Sequence, residues 1–347
     1  MKVSSMQNNF IETIIGFDGP YGLVIHNDTI YVSDLFDHKM VTFSQDYKFE
    51  KWLGYNGLNK ISWNEGIGFK GQYGFEIPPN GMLNGPHASA ISSKNKIYIA
   101  DYFEKRVYVF NNDGNFSHFL VVNDSTDLAF KGPANIHIDQ NDTIYISDYS
   151  SNRVFIFDKE EKFIGWLGES KVNNDNLKKS GESIRSSKLG GFDQPHMVAT
   201  DKSGNIYVVE EGNNRIQKFS SLFEPLGWIG FSDNYVSDGW RLDNPPIASN
   251  TVLGFDQPVS VTVVDNTHLV IADHANFRVL KYNLDGNFEG WIGGTEDNPV
   301  LNWRTDNSNI NVEYNNAFFR ALYDAKFYNN KLLIADGHKQ HIVIIDF

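Results

Sequence analysis

The sequence predicts an all-β fold, a six-bladed β-propeller of four-stranded antiparallel blades, and three observations carry that prediction. A unit of apolar strand, polar hairpin, apolar strand ending in an acid, polar turn and third strand opened by a cation recurs six times. A fourth apolar run follows most copies, with tryptophan in one slot. The chain ends on a third strand, while a matching fourth run stands near its start. One such meander exposes apolar area on both sheet faces, so it is stable only when copies stack on it, and copies in a ring form a propeller.

The clearest copy is GFDQPHMVATDKSGNIYVVEEGNNRIQKF at 191–219, followed by LGWIG at 226–230. The acids that end the second strands are Asp34, Asp101, Asp148, Glu210, Asp273 and Asp336. Five residues after each comes Lys39, Arg106, Arg153, Arg215, Arg278 or His341. A fixed acid-to-base spacing reads as a structural pair that pins the intervening turn by a charge-assisted hydrogen bond. A turn proline opens five first strands, at Pro20, Pro86, Pro133, Pro195 and Pro258, and Leu322 stands in the sixth. Trp52, Trp166, Trp228 and Trp291 share the fourth-strand slot and read as packing residues between blades. The whole chain, 1–347, reads as one domain with blades at about 17–54, 85–121, 132–168, 194–230, 257–293 and 320–347 plus 10–16. In this arrangement IETIIG at 11–16 supplies the outer strand of the last blade and latches the ring, which removes two open sheet edges.

The links between blades differ. The one at 122–132 is short, whereas 55–85, 169–194, 231–257 and 294–321 are long and rich in Gly, Asn, Ser and Pro. Loops of such length in a compact domain are often functional. GWRLDNPP at 239–246 and NWRTDNSN at 302–309 share Trp, Arg, Asp and Asn at equal spacing. Two readings stand side by side. In one, Trp63, Trp240, Arg241, Trp303 and Arg304 form a lid that lines a ligand site with His274 and Glu211. In the other, the loops are repeat-derived covers packing on their own blades.

Composition narrows the partners. Thirty Lys and Arg against 43 Asp and Glu give a net charge of -13, and no local basic stripe offsets it, so nucleic acid is not an expected partner. Cysteine is absent, which removes disulfides and thiolate chemistry. The N-terminal stretch lacks a signal-peptide core and no window reaches a membrane span, so a cytoplasmic monomer that meets no membrane is expected. Phosphate-loop, GxSxG and HExxH motifs are missing.

The pattern of proline, apolar strand, GNIYV with a terminal acid, then NR and an apolar strand resembles the NHL-repeat family of six-bladed propellers over nearly the whole chain. Within it, the resemblance to peptidylamidoglycolate lyase, the peptide-amidating lyase, lies in histidines directly after a proline: His87 in GPHASA and His196 in QPHMVA. That resemblance implies a zinc site at His87 and His196; by placement in blade six Asp324 or His338 is the candidate further ligand, and calcium is the other ion such a site would take. Tyr102, Tyr149 and Arg320 are catalytic candidates by placement. Other members of the family are binding or sensor modules. The expected function is therefore a propeller binding a peptide, glycan or small polar ligand on the loop-covered channel face; a metal-dependent lyase or hydrolase, or a protein-interaction scaffold, is the alternative.

Overall fold

The computed structural model describes residues 2–5, 11–55, 61–65, 83–122, 128–232, 239–242, 246–251, 253–306, 312 and 314–347. Six antiparallel sheets follow one another along the chain, and the first strand of each contacts the first strand of the next all the way round, including blade six to blade one. The fold is the six-bladed propeller read from the repeats. Ile11–Ile15 pairs with His341–Asp346 in a register running from Ile11 opposite Ile345 to Ile15 opposite His341, so the N-terminal segment closes the ring. Lys2–Ser5 adds a fifth strand outside it, which the repeat pattern did not foreshadow.

Period-two alternation explains why the strands are apolar on both faces. In Ile97–Asp101, Ile97 and Ile99 face blade one, while Tyr98 and Ala100 face blade three. The buried residues accordingly sort into six clusters, one at each blade interface. A second repeated feature, absent from the reading above, completes them. The residue three before each first-strand opener is Phe17, Leu83, Phe130, Phe192, Phe255 or Phe319, and each is a wedge buried between two blades.

The strand-end acids have one common task. Each accepts main-chain N–H groups from the turn that introduces its own blade. Asp34 takes Asp18 and Gly19 at 3.1 and 2.9 Å, Asp101 takes Asn84 and Gly85, and Asp148 takes Lys131 and Gly132. Glu210 takes Asp193, Asp273 takes Asp256, and Asp336 takes Arg320 and Ala321. Buried N–H groups at a chain reversal need an acceptor, and a carboxylate supplies two oxygens.

Two of the cations pin their own hairpins as the spacing predicts, and they also reach further. Arg215 pairs with Glu210 at 2.5 Å and Arg278 with Asp273 at 2.8 Å, but each guanidinium also donates to three carbonyls of the returning link: Ser187, Lys188 and Gly191 for Arg215, and Asn250, Thr251 and Gly254 for Arg278. The arginine is a loop anchor. In blade two Arg106 lies exposed over the Phe119 ring at 4.8 Å, and the matching stretch of its incoming link, 78–82, lies outside the described residues.

Candidate functional site

Each first-strand opener pairs with the strand-end acid of its blade, from Pro20 opposite Asp34 to Leu322 opposite Asp336, and the register shifts immediately afterwards. Leu322 therefore occupies the proline position with no deletion. This repeated bulge sets one residue per blade at the channel mouth: Tyr21, His87, Ala134, His196, Val259 and Tyr323.

Four of these close on one another. Tyr21 crosses from blade one so that its hydroxyl lies 3.0 Å from His196 Nε2 in blade four. Its ring stacks on Tyr323 at 4.1 Å and tilts against His87 at 4.2 Å. His87 in turn stacks on Tyr102 at 4.7 Å, and Tyr149 meets Tyr102 and His196 edge-on at 6.2 and 6.0 Å. His274 binds the Leu322 carbonyl through Nδ1 at 2.8 Å and lies 5.2 Å from the Tyr323 ring. Glu211 shares a hydrogen bond with Tyr149. Phe36 and Phe103, each 51% exposed, follow the strand-end acids of blades one and two by two residues. They lie over the turn glycines Gly19 and Gly85, where a Cβ would come within 2.5 and 2.3 Å of the rings. Sequence reasoning missed this pair, and two aromatics at equivalent repeat positions were the signal.

Burial decides the charge states. It holds His87 down to about 3, with His196 adding to the effect. It holds His196 down to about 4, against an opposing hydrogen bond with the Val259 main chain. Burial also raises Tyr21, Tyr149, Tyr323 and Glu211. At neutral pH the tyrosine is protonated and the imidazole neutral, and in the tautomer with hydrogen on Nδ1 the Tyr21 hydroxyl donates to His196 Nε2.

The residues grouped from sequence as metal ligands do not converge. His87 and His196 share the mouth, but the Tyr21 ring stands against both. Asp324 lies within the blade walls, accepting from Leu23 N, Ser260 Oγ and Lys326 Nζ at 2.9 Å each. His338 packs on Tyr314 at 5.2 Å. Among the described residues no three His, Cys, Asp or Glu side chains are placed to hold one ion. Of the catalytic candidates, Tyr102 and Tyr149 belong to the mouth cluster, whereas Arg320 is turned to Glu296 and the Asn315 carbonyl at 3.1 and 2.9 Å.

The described parts of three long links pair with outer strands: Ile61–Asn64 with Phe49–Tyr55, Arg241 with Trp228, and Pro299–Arg304 with Phe288–Gly294. Trp63 donates to the Asn112 carbonyl at 3.2 Å and Trp240 to the Leu284 carbonyl at 2.9 Å, both in hairpins on the face opposite the mouth; Trp303 packs on Phe347. Lys51, Lys218 and Lys281 lie over the three indoles. Arg241 covers Trp228 at 5.1 Å, and Arg304 lies 3.8 Å from Asp306. Each tryptophan thus seals a blade against the next, as in the covering-loop reading. The shared Asp243 and Asn244, and Asn307, lie outside the described residues.

Comparison with known proteins agrees with the fold. Residues 192–219 match the NHL repeat model. A probable peptidyl-alpha-hydroxyglycine alpha-amidating lyase of Caenorhabditis elegans is 26% identical over 111 residues, which is 31% of this chain and 28% of that protein's length. A streptogramin B lyase structure superposes with a TM-score of 0.56 at 12% identity, covering 97% of each chain. A putative gluconolactonase gives 0.55 at 11% identity over 98% of this chain and 93% of that one. An auxiliary nutrient binding protein from Bacteroides thetaiotaomicron gives 0.57 at 11% over 95% and 69%. No helix among the described residues is long and apolar enough to cross a membrane. The chain carries an NHL repeat at 192–219 and is a six-bladed β-propeller.

Proposed function

We propose that this propeller binds a peptide, glycan or small polar ligand at the mouth of the channel, against the surface formed by Tyr21, His87, His196, Tyr102, Tyr323 and Glu211. The supporting observation is that Tyr21, His87, His196 and Tyr323 gather from four different blades although none belongs to the six interface cores. Neutral imidazoles, phenol hydroxyls and flat rings suit a ligand with both hydrogen-bonding groups and an apolar face, and Phe36 and Phe103 extend that face outward.

A zinc or calcium ion does not fit these donors. Catalytic zinc takes three protein ligands and keeps one open position, while among the described residues no three of the mouth's His87, His196, His274 and Glu211 are placed to hold one ion. A second reading, lyase or hydrolase chemistry without that ion, is favoured by the Tyr21–His196 hydrogen bond beside Glu211, a proton donor and acceptor held next to a carboxyl of raised pKa.

The test is to titrate short peptides, including one ending in α-hydroxyglycine, with oligosaccharides and a sugar lactone, following binding by calorimetry and turnover by mass spectrometry. Binding lost in His87→Ala but kept in Trp240→Ala supports the mouth as the site. Turnover lost in Tyr21→Phe selects the second reading. A ligand whose affinity is indifferent to His87 and Tyr21 overturns both.

A further inference from the structure

The channel has a second end. Below the mouth, the first strands widen into a cavity of about 400 Å³ open toward the opposite face, within the range of ~300–1,000 Å³ typical of small-molecule sites. Its polar lining includes His137, Thr262, Asp324 and Lys326, and its walls are aliphatic, from Leu23 to Val263. Nothing in the mouth cluster reaches into it.

Three features specify what would occupy this space. The first is charge. Lys326 Nζ lies 2.9 Å from Asp324 Oδ1, so the one cation in the lining is matched by the one buried carboxylate. His137, held neutral to about 3 by burial and by Lys326, gives no counter-charge, and it engages Thr200 Oγ1 through Nε2 at 2.8 Å. Asp265 and His26 also line the cavity, Asp265 as an exposed residue, so the charges of the buried part are matched within it and a charged guest there would meet no unpaired partner.

The second is an under-used donor. The Lys326 ammonium has three hydrogens: one on Asp324, one on Thr262 Oγ1 at 3.1 Å, and one directed to the thioether of Met197 at 3.6 Å. A thioether is a weak acceptor. A hydroxyl or carbonyl oxygen in the cavity would take that hydrogen more favourably.

The third is main chain. Each first strand is the inner edge of its sheet, paired on one side only. Its inward N–H and C=O groups need partners, and among the described residues side chains supply some of them: Asp324 for Leu23 N, Ser260 Oγ with Asp324 for Ala325 N, Thr262 Oγ1 for the Ala325 carbonyl and Ser147 Oγ for the His196 carbonyl. The remaining groups form a ring of alternating donors and acceptors separated by apolar side chains.

We propose that this vestibule is a second ligand site, for an uncharged polyhydroxylated molecule of monosaccharide size. Its hydroxyls would pair with Lys326 and the strand edges, and its C–H faces would lie on the aliphatic walls. The site is independent of the mouth and of its proposed function.

The probes are glucose, galactose and myo-inositol, with gluconate and glucosamine as charged analogues, measured by saturation-transfer NMR and calorimetry on the full chain. Wild type should bind a neutral probe in preference to both charged analogues. Thr262→Val, which removes the hydroxyl that orients Lys326, should weaken it by about tenfold, the scale of one hydrogen bond to a charged group. Val24→Phe, which fills the cavity from a wall, should abolish it; if that variant does not fold, Thr262→Val carries the test. Preference for a charged analogue, affinity unaltered in Thr262→Val, or no neutral probe bound at all overturns the proposal.

Discussion

Tyr21 and His196 meet across the full width of the channel, hydroxyl to Nε2 at 3.0 Å, although they belong to blades one and four of a six-membered ring. The contact favours the His196 tautomer with hydrogen on Nδ1 and fills the space between the two histidines that the sequence suggested as metal ligands. Removing only the hydroxyl isolates its effect. Tyr21→Phe should keep the fold and cost about 1 kcal/mol. His196, having lost its donor at Nε2, should no longer favour hydrogen on Nδ1, and nitrogen-detected NMR of the ring should show the tautomers mixing. An unchanged ring spectrum would mean that the contact does not hold His196.

Ring closure gives a second prediction. Ile14 is buried against blade one and blade six, in the core that includes Phe17, Val41 and Ile344. Ile14→Ala should cost roughly 2–5 kcal/mol, as for other buried large-to-small changes. Deleting residues 1–16 should cost more and leave His341–Asp346 as an open edge, a template for pairing between chains. Chromatography with light scattering should show association; a monomer with the parent melting temperature would mean the latch is dispensable.

Much of this architecture was legible because each blade repeats the same physical problem. The acid-to-base spacing recurs six times and the proline opener five, and both are local; the displaced last strand shows once, by its likeness to the fourth strands. The partners of those residues were not legible. Arg215 and Arg278 read as hairpin pins, but the carbonyls they hold lie 24 to 28 residues away in the links. The candidate site divided on the same line. Placing His87, His196, Tyr102 and Tyr149 at one mouth needed only the strand order. Tyr21 reaching blade four, and Asp324 turning into the wall toward Leu23 and Ser260, depend on side-chain direction and on neighbours that no period encodes. Similar sequence in the links was equally a lid or a cover when read alone, and the packing of Trp240 on Leu284 and of Trp303 on Phe347 depends on neighbours that the link sequence does not name.

The link tryptophans therefore give a stability prediction. Trp240 packs on the core between blades four and five, donates to the Leu284 carbonyl, and lies under Lys218. Trp240→Ala should lower stability by roughly 2–3 kcal/mol, the lower part of the range for aromatic truncation because the ring is only half-buried. Trp303→Ala should behave similarly through the loss of Phe347 contact. Denaturant unfolding measures both. A loss of ligand affinity with no change in midpoint would return these residues to a lid.

Acid sensitivity offers a last prediction, in which the sign separates two groups. His196 falls from its ordinary 6.5 to about 4 in the folded chain, mainly through burial. Between those values the unfolded chain binds the proton and the folded chain does not, so protonation favours unfolding and stability falls as pH drops from 6.5 toward 4. Across that interval His196 alone would account for ~3 kcal/mol by linkage. The strand-end acids act oppositely. Burial raises Asp101 and Asp273 to about 6 and Asp34 to about 7, so their contribution is greatest in acid and is lost as pH rises through those values. The raw pH profile sums both groups and does not isolate the histidine. The difference between wild type and His196→Asn does, because the acids are common to both. Urea unfolding at steps from pH 7 to 4 should show wild type losing stability relative to the variant as pH falls. Parallel profiles would mean that His196 is not held neutral at the mouth.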